Sequence, residues 1–144
     1  MADNGGGLKT LIAVDSSEHS KKAVIQTSRF AAKTGVEITL LGVLEDVIRY
    51  KEIPDTWAYH QREKKALNIL ENLKKEAEKN GATSVKIMTV VGPIAEEIVR
   101  VAEEEDFHYV VLGTKGESGF KRMLMGSVAE KVVKHAHCPV VIIR

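Results

Sequence analysis

The chain has 144 residues, 44% of them apolar and 28% charged, which fits one globular domain able to bury its own core. Its 21 Lys and Arg stand against 20 Asp and Glu, and a net charge of +1 argues against a dedicated DNA-binding surface, which needs a concentrated basic surplus. One cysteine, Cys138, excludes an internal disulfide, and no apolar run nears the roughly 20 residues that a membrane helix needs.

Neither nucleic acid nor a membrane is therefore expected as a partner. The opening, Met1 to Gly7, is polar and glycine-rich, carries no secretory signal and reads as a disordered lead-in. A cytoplasmic protein is expected, and the lone cysteine fits a reducing compartment.

From Leu8 onward strands and helices alternate. Leu8 to Val14 reads as a strand that ends in Asp15-Ser16-Ser17, where Asp15 and Glu18 are spaced as a capping box. Ser20, Ala23, Val24, Thr27, Phe30, Ala31 and Thr34 recur at helical spacing and predict an inward face, with Gly35 as the stop. Glu37 to Leu44 predicts a second strand, apolar on both faces as a central parallel strand is. After an irregular stretch containing Pro54, a helix is predicted from Trp57 to Asn80, with Ala66, Leu70, Leu73 and Ala77 inward. Trp57 and Tyr59 either pack this helix or border the pocket, with core packing the expected reading, and the Lys/Glu run from Glu63 to Lys79 reads as a solvated face. A third strand is predicted over Ser84 to Val91. Pro93 is expected at the first helical position of the next helix, with Glu96 and Glu97 at its positive end. Tyr109 to Leu112 predicts a fourth strand ending at Gly113, Gly126-Ser127 a fourth helix running to about His135, and Val140 to Ile143 a fifth strand. This order predicts a doubly wound five-stranded parallel α/β sheet with helices on both faces, one domain over residues 8–144. Ligands of such sheets sit beyond the carboxyl ends of the strands, where the strand order reverses. Asp15, Val43-Leu44, Val91-Gly92 and Gly113 mark that edge.

The segment from Gly113 through Gly116 to Gly126-Ser127 lies between a buried strand and a helix. Its glycines allow the backbone to turn and to present N–H groups, and a helix N-terminus attracts an anion. Ser127 adds a hydroxyl, and Lys115, Lys121 and Arg122 add positive charge. The same residues also have a structural reading: Gly113 ends a strand, and Ser127 with Glu130 forms a capping box.

The spacing Gly113-x2-Gly116-x9-Gly126-Ser127 resembles the G-x2-G-x9-G-[S/T] signature of the universal stress protein family, whose ATP-binding branch that signature marks. Leu11 to Ser17, Val91-Gly92-Pro93 and His137 to Ile143 resemble that family's opening strand and acidic turn, its third strand-to-helix turn and its closing strand. The resemblance implies a Rossmann-like fold of the adenine nucleotide alpha-hydrolase type. It implies that Ala13, Val14, Asp15 and Ser16 form one side of an ATP site, that Val14 and Val43 line the adenine pocket, and that backbone near Val91 contacts the base edge. It places Gly113, Lys115, Gly116, Gly126, Ser127 and Val128 around ribose and phosphates, and Asp15 as a candidate ligand for Mg²⁺ or Mn²⁺. It also implies a homodimer formed through the last strand.

Other phosphate chemistries lack their residues. There is no G-x4-G-K-[S/T], no G-x-G-x-x-G after the first strand, and no aspartate ending the third. His135, His137 and Cys138 cluster without a fourth zinc ligand, and His19 and His60 read as surface residues. Phosphoryl transfer needs a positioned nucleophile, a metal and charge stabilisers. Asp15, Lys115 and Ser127 supply part of that set, and Glu117 is a poor water-positioning group. The expected function is a nucleotide-dependent stress-response regulator with at most slow ATP hydrolysis. A slow ATPase or phosphotransferase, and a dimeric sensor of AMP or cyclic AMP, are the alternatives.

Overall fold

The computed structural model describes residues 7–45, 56–114 and 126–144. In chain order these form β1 (Lys9–Ala13), α1 (Glu18–Thr34), β2 (Glu37–Leu44), α2 (Thr56–Lys79), β3 (Val85–Val91), α3 (Ile94–Glu104), β4 (Tyr109–Gly113), α4 (Ser127–His135) and β5 (Val140–Ile143). All strand pairs are parallel, in the order β3-β2-β1-β4-β5. This is the doubly wound sheet expected from the alternation of elements.

Two cores follow from the two-residue period of the strands. Ile12, Ile38, Leu40 and Val111 point to one face and pack with Ala23, Val24 and Ala31 of α1 and Leu70, Leu73 and Ala77 of α2. Their chain neighbours Leu11, Leu41, Val110 and Leu112 point to the other face and pack with Ala95, Ile98 and Val101 of α3 and Ala129 and Val132 of α4. The chain moves outward from β1 through β2 to β3, then returns across β1 to β4. That reversal puts the second pair of helices on the opposite face. It also leaves the carboxyl ends of β1 and β4 side by side with their loops diverging, the place where such sheets take ligands.

Several local expectations are corrected. The N-cap of α1 is Ser17, whose hydroxyl accepts the Ser20 N–H at 3.2 Å, so no capping box runs from Asp15 to Glu18. Asp15 sits before the cap as an Asx turn. The inward face of α1 includes buried Ser28 and omits Phe30, which is 59% exposed, and Thr34. Phe30 fits the predicted spacing only at the margin of the stripe, where one turn's drift carries it to solvent. Pro93 is the N-cap of α3, one position before the first turn. Trp57 is 72% exposed rather than packed, because it lies at the beginning of α2, ahead of the buried Leu70 to Ala77 face; Tyr59 is half-buried. Gly35 ends α1 as expected, in the left-handed region at φ 76°, which glycine enters without the cost of a Cβ.

Candidate functional site

The loop after β1 is built around one carboxylate. Asp15 Oδ1 accepts the Ser17 N–H at 2.8 Å and the Ser20 hydroxyl at 2.9 Å, and the Ser20 oxygen accepts the Asp15 N–H at 2.9 Å. The turn is thereby fixed to the first turn of α1, with Asp15 at the cavity edge.

Across β1, the end of β4 is tied down from two sides. Thr114 donates its N–H to Ile143 O at 3.1 Å and accepts the Gly126 N–H at 2.9 Å, which pins the start of α4 over the β4 end. Gly126 is the N-cap of α4, with no side-chain capping bond. The capping box expected from Ser127 and Glu130 is therefore not formed. Ser127 lies one position inside the cap, where its hydroxyl has no role in ending the helix. The first N–H to find an intrahelical acceptor is that of Glu130, bonded to Gly126 O at 2.9 Å. The N–H groups of Ser127, Val128 and Ala129 precede that first helical bond and have no helical acceptor among the described residues, at the positive end of the dipole.

The two glycines that flank the loop differ. A Cβ on Gly113 would meet His19 Cβ at 2.9 Å and its carbonyl oxygen at 3.0 Å, so this glycine admits α1 against β4. Gly126 has φ −65° and ψ 160°, an extended conformation open to any residue, so the backbone does not require glycine there.

Between these elements lies a cavity of about 440 Å³. Ala13, Leu41 and Leu112 of the sheet, Val14 and Val43, Ile94 and Ile98 of α3, and Val128 and Ala129 of α4 line it. Polar residues line it as well: Asp15, Ser20, Glu45, Arg62, Thr114 and Ser127. A cavity that mixes apolar side chains with polar groups, beside a helix N-terminus, suits a flat ring attached to an anion. A second cavity of about 310 Å³ adjoins it, sharing Val14, Asp15, Val43 and Arg62 and adding Ser16.

The structure thus brings together Ala13, Val14, Asp15, Val43, Gly113, Gly126, Ser127 and Val128, with Ser16 next door. Val91 is not among the lining residues: it ends the edge strand β3, paired with Leu44 and 39% exposed. Lys115 and Gly116, like Glu117, Gly119, Lys121 and Arg122, lie outside the described residues. Sequence reasoning missed Ile94 and Ile98, although their four-residue spacing on the amphipathic α3 carried a signal. It also missed Arg62, one of many charges on α2, for which no signal existed. Among the described residues no three His, Cys, Asp or Glu gather as a metal cluster. Burial pushes the Cys138 thiol above its ordinary range, away from the thiolate form that zinc requires.

A family model described as the universal stress protein family matches residues 8–144. Universal stress protein MJ0531 of Methanocaldococcus jannaschii is 35% identical over 149 residues, spanning 98% of this chain and 85% of the relative. The solved structure of universal stress protein MJ0577, from the same organism, superposes with a TM-score of 0.83 at 34% identity over 94% of both chains. Two more distant structures share the fold. One is a universal stress protein in complex with cyclic AMP, with TM-score 0.71 and 22% identity over 97% of this chain and 98% of that one. The other, from Archaeoglobus fulgidus, is in complex with dAMP, with TM-score 0.71 and 23% identity over 95% and 98%.

Proposed function

The chain belongs to the universal stress protein family, and from that premise we propose that it is an adenine-nucleotide-binding regulator whose ligand is ATP. The observation that carries this reading is the open N-terminus of α4 on the cavity wall, capped by a glycine that neither the backbone nor a capping bond demands. An adenine ring suits the apolar side chains of the cavity, and phosphates suit the N–H groups of Ser127 and Val128. Structures of this fold solved with cyclic AMP and dAMP favour the monophosphate-sensor reading as the second candidate.

Mg²⁺ or Mn²⁺ would arrive with the phosphates. A phosphate-chelated Mg²⁺ needs only one or two protein carboxylates, and Asp15 at the cavity edge fits that limited demand. The metal would offset phosphate charge, while Asp15 and its two hydroxyl and N–H donors hold the turn that orients it. Turnover is proposed to be slow, with Asp15 and Ser127 supplying charge and orientation at the cavity. The site of action is proposed to be the cytoplasm.

The test is a calorimetric titration of nucleotide-stripped protein with ATP, ADP, AMP, dAMP and cyclic AMP, with phosphate release followed in the ATP sample. Tightest binding of ATP with slow release is expected. Preference for a monophosphate would favour the sensor, and fast turnover would make the protein an ATPase.

We also propose a homodimer through β5. This strand pairs only with β4 among the described residues, and Val141 on it is 41% exposed. A bare apolar edge favours pairing with a second copy. Light scattering should therefore report a dimer for the wild type and a monomer for Val141→Lys, with unchanged far-UV circular dichroism. A wild-type monomer would end this reading.

A further inference from the structure

Arg62 is the only cation among the described residues that line the main cavity, and it shares that wall with two carboxylates, Asp15 and Glu45. It stands near the beginning of α2, on the opposite face of the sheet from α3 and α4. It also lines the adjoining cavity together with Lys65, three residues further along the same helix. The two spaces meet where Val14, Asp15, Val43 and Arg62 are common to both. The guanidinium makes no hydrogen bond or ion pair among the described residues, and its residue is exposed. Arg100 shows the alternative: on α3 it is held at 2.6 Å by Glu97 and at 2.9 Å by Glu104.

A guanidinium that lines a cavity without a partner among the described residues can take an anion, and its planar fork matches phosphate oxygens two at a time. Without it, the described wall would meet a polyanionic ligand with two carboxylates and no cation. We infer that Arg62 is a ligand-binding residue that contacts nucleotide phosphate and makes affinity rise with the number of phosphates. The inference rests on the nucleotide reading above and deepens it. Nothing in the glycine signature includes this residue, and it ties ligand charge to α2, an element the signature does not touch.

The experiment compares wild type, Arg62→Gln and Arg62→Lys in titrations with adenosine, AMP and ATP at two salt concentrations. Because Arg62 is exposed and has no partner among the described residues, the fold should withstand both changes. Adenosine affinity is expected to hold, while ATP affinity falls about tenfold or more in Arg62→Gln and is partly restored in Arg62→Lys. The salt dependence of ATP binding should flatten in Arg62→Gln as well. Equal losses for adenosine and ATP would overturn the assignment, since the side chain would then be packing on the base. Wild-type binding unaltered in Arg62→Gln would overturn it too, leaving the nucleotide reading intact. A wild type that binds no adenine nucleotide would overturn that reading and this one together.

Discussion

Gly126→Val is expected to weaken ATP binding about a hundredfold or more, while lowering stability by only about 1 kcal/mol. The argument runs through two separate properties of one position. Its extended backbone accepts any residue, and it is an N-cap, where valine is merely a poor choice. A branched side chain there, however, is expected to crowd the N–H groups of Ser127 and Val128 and so to hinder a phosphate from reaching them. Gly126→Ser sharpens the test because it moves the two quantities in opposite directions. A serine oxygen at the N-cap accepts one of the N–H groups of the first turn, so Tm should hold or rise slightly. The same bond takes a donor from the phosphate, so ATP affinity should fall. Calorimetric titration and thermal unfolding of the three proteins read both effects. ATP affinity unchanged in Gly126→Val would mean that the anion does not use the start of α4.

The sheet was legible in the sequence because its signals are local and repeat. Apolar runs such as Leu40 to Leu44 and Val140 to Ile143 have one reading as strands, and Gly35 has one reading as a helix stop. The strand bounds of β2 and β5 accordingly coincide with those expected. What failed were positions decided by tertiary contact. Helical spacing places Phe30 and Thr34 beside Ala31, but whether the stripe is wide enough to bury them depends on how α1 sits over β1 and β4. Trp57 looked like a core residue because of its size, yet it precedes the part of α2 that reaches the sheet.

The candidate site divides in the same way. Asp15, Val43 and Gly113 were found because topology alone sends strand ends to one edge, and Ala13 and Val14 were implied by the family resemblance. Val91 shares that edge by topology, but β3 is two strands from β1, so its end lies off the cavity. Arg62 enters from a helix whose charges all look alike in sequence, and only the packing of α2 against β2 distinguishes it. The choice between phosphate site and capping box was open in the sequence because both use Ser127. It turns on a shift of one residue, with Gly126 rather than Ser127 at the cap.

Gly113 belongs to the same glycine spacing as Gly126, and the structure predicts the opposite consequence when it is changed. Gly113→Ala is expected to destabilise the protein by about 1–3 kcal/mol, lowering Tm by roughly 4–12 °C, with ATP affinity changed far less than in Gly126→Val. The added methyl meets His19 Cβ, the His19 carbonyl oxygen and its carbon at 2.9, 3.0 and 3.1 Å, two of them backbone atoms in the first turn of α1. No rotamer change relieves a collision with backbone, so α1 must move as a unit against β4, and the packing of Ala23 and Val24 beneath it moves too. His19→Gly in the Gly113→Ala background tests the cause. It removes the Cβ contact but leaves both backbone contacts, so it should recover only part of the loss relative to His19→Gly alone. Should Gly113→Ala instead unfold like the wild type and lose ATP, this glycine would be making room for ligand rather than for α1, and the division of labour within the motif would be wrong.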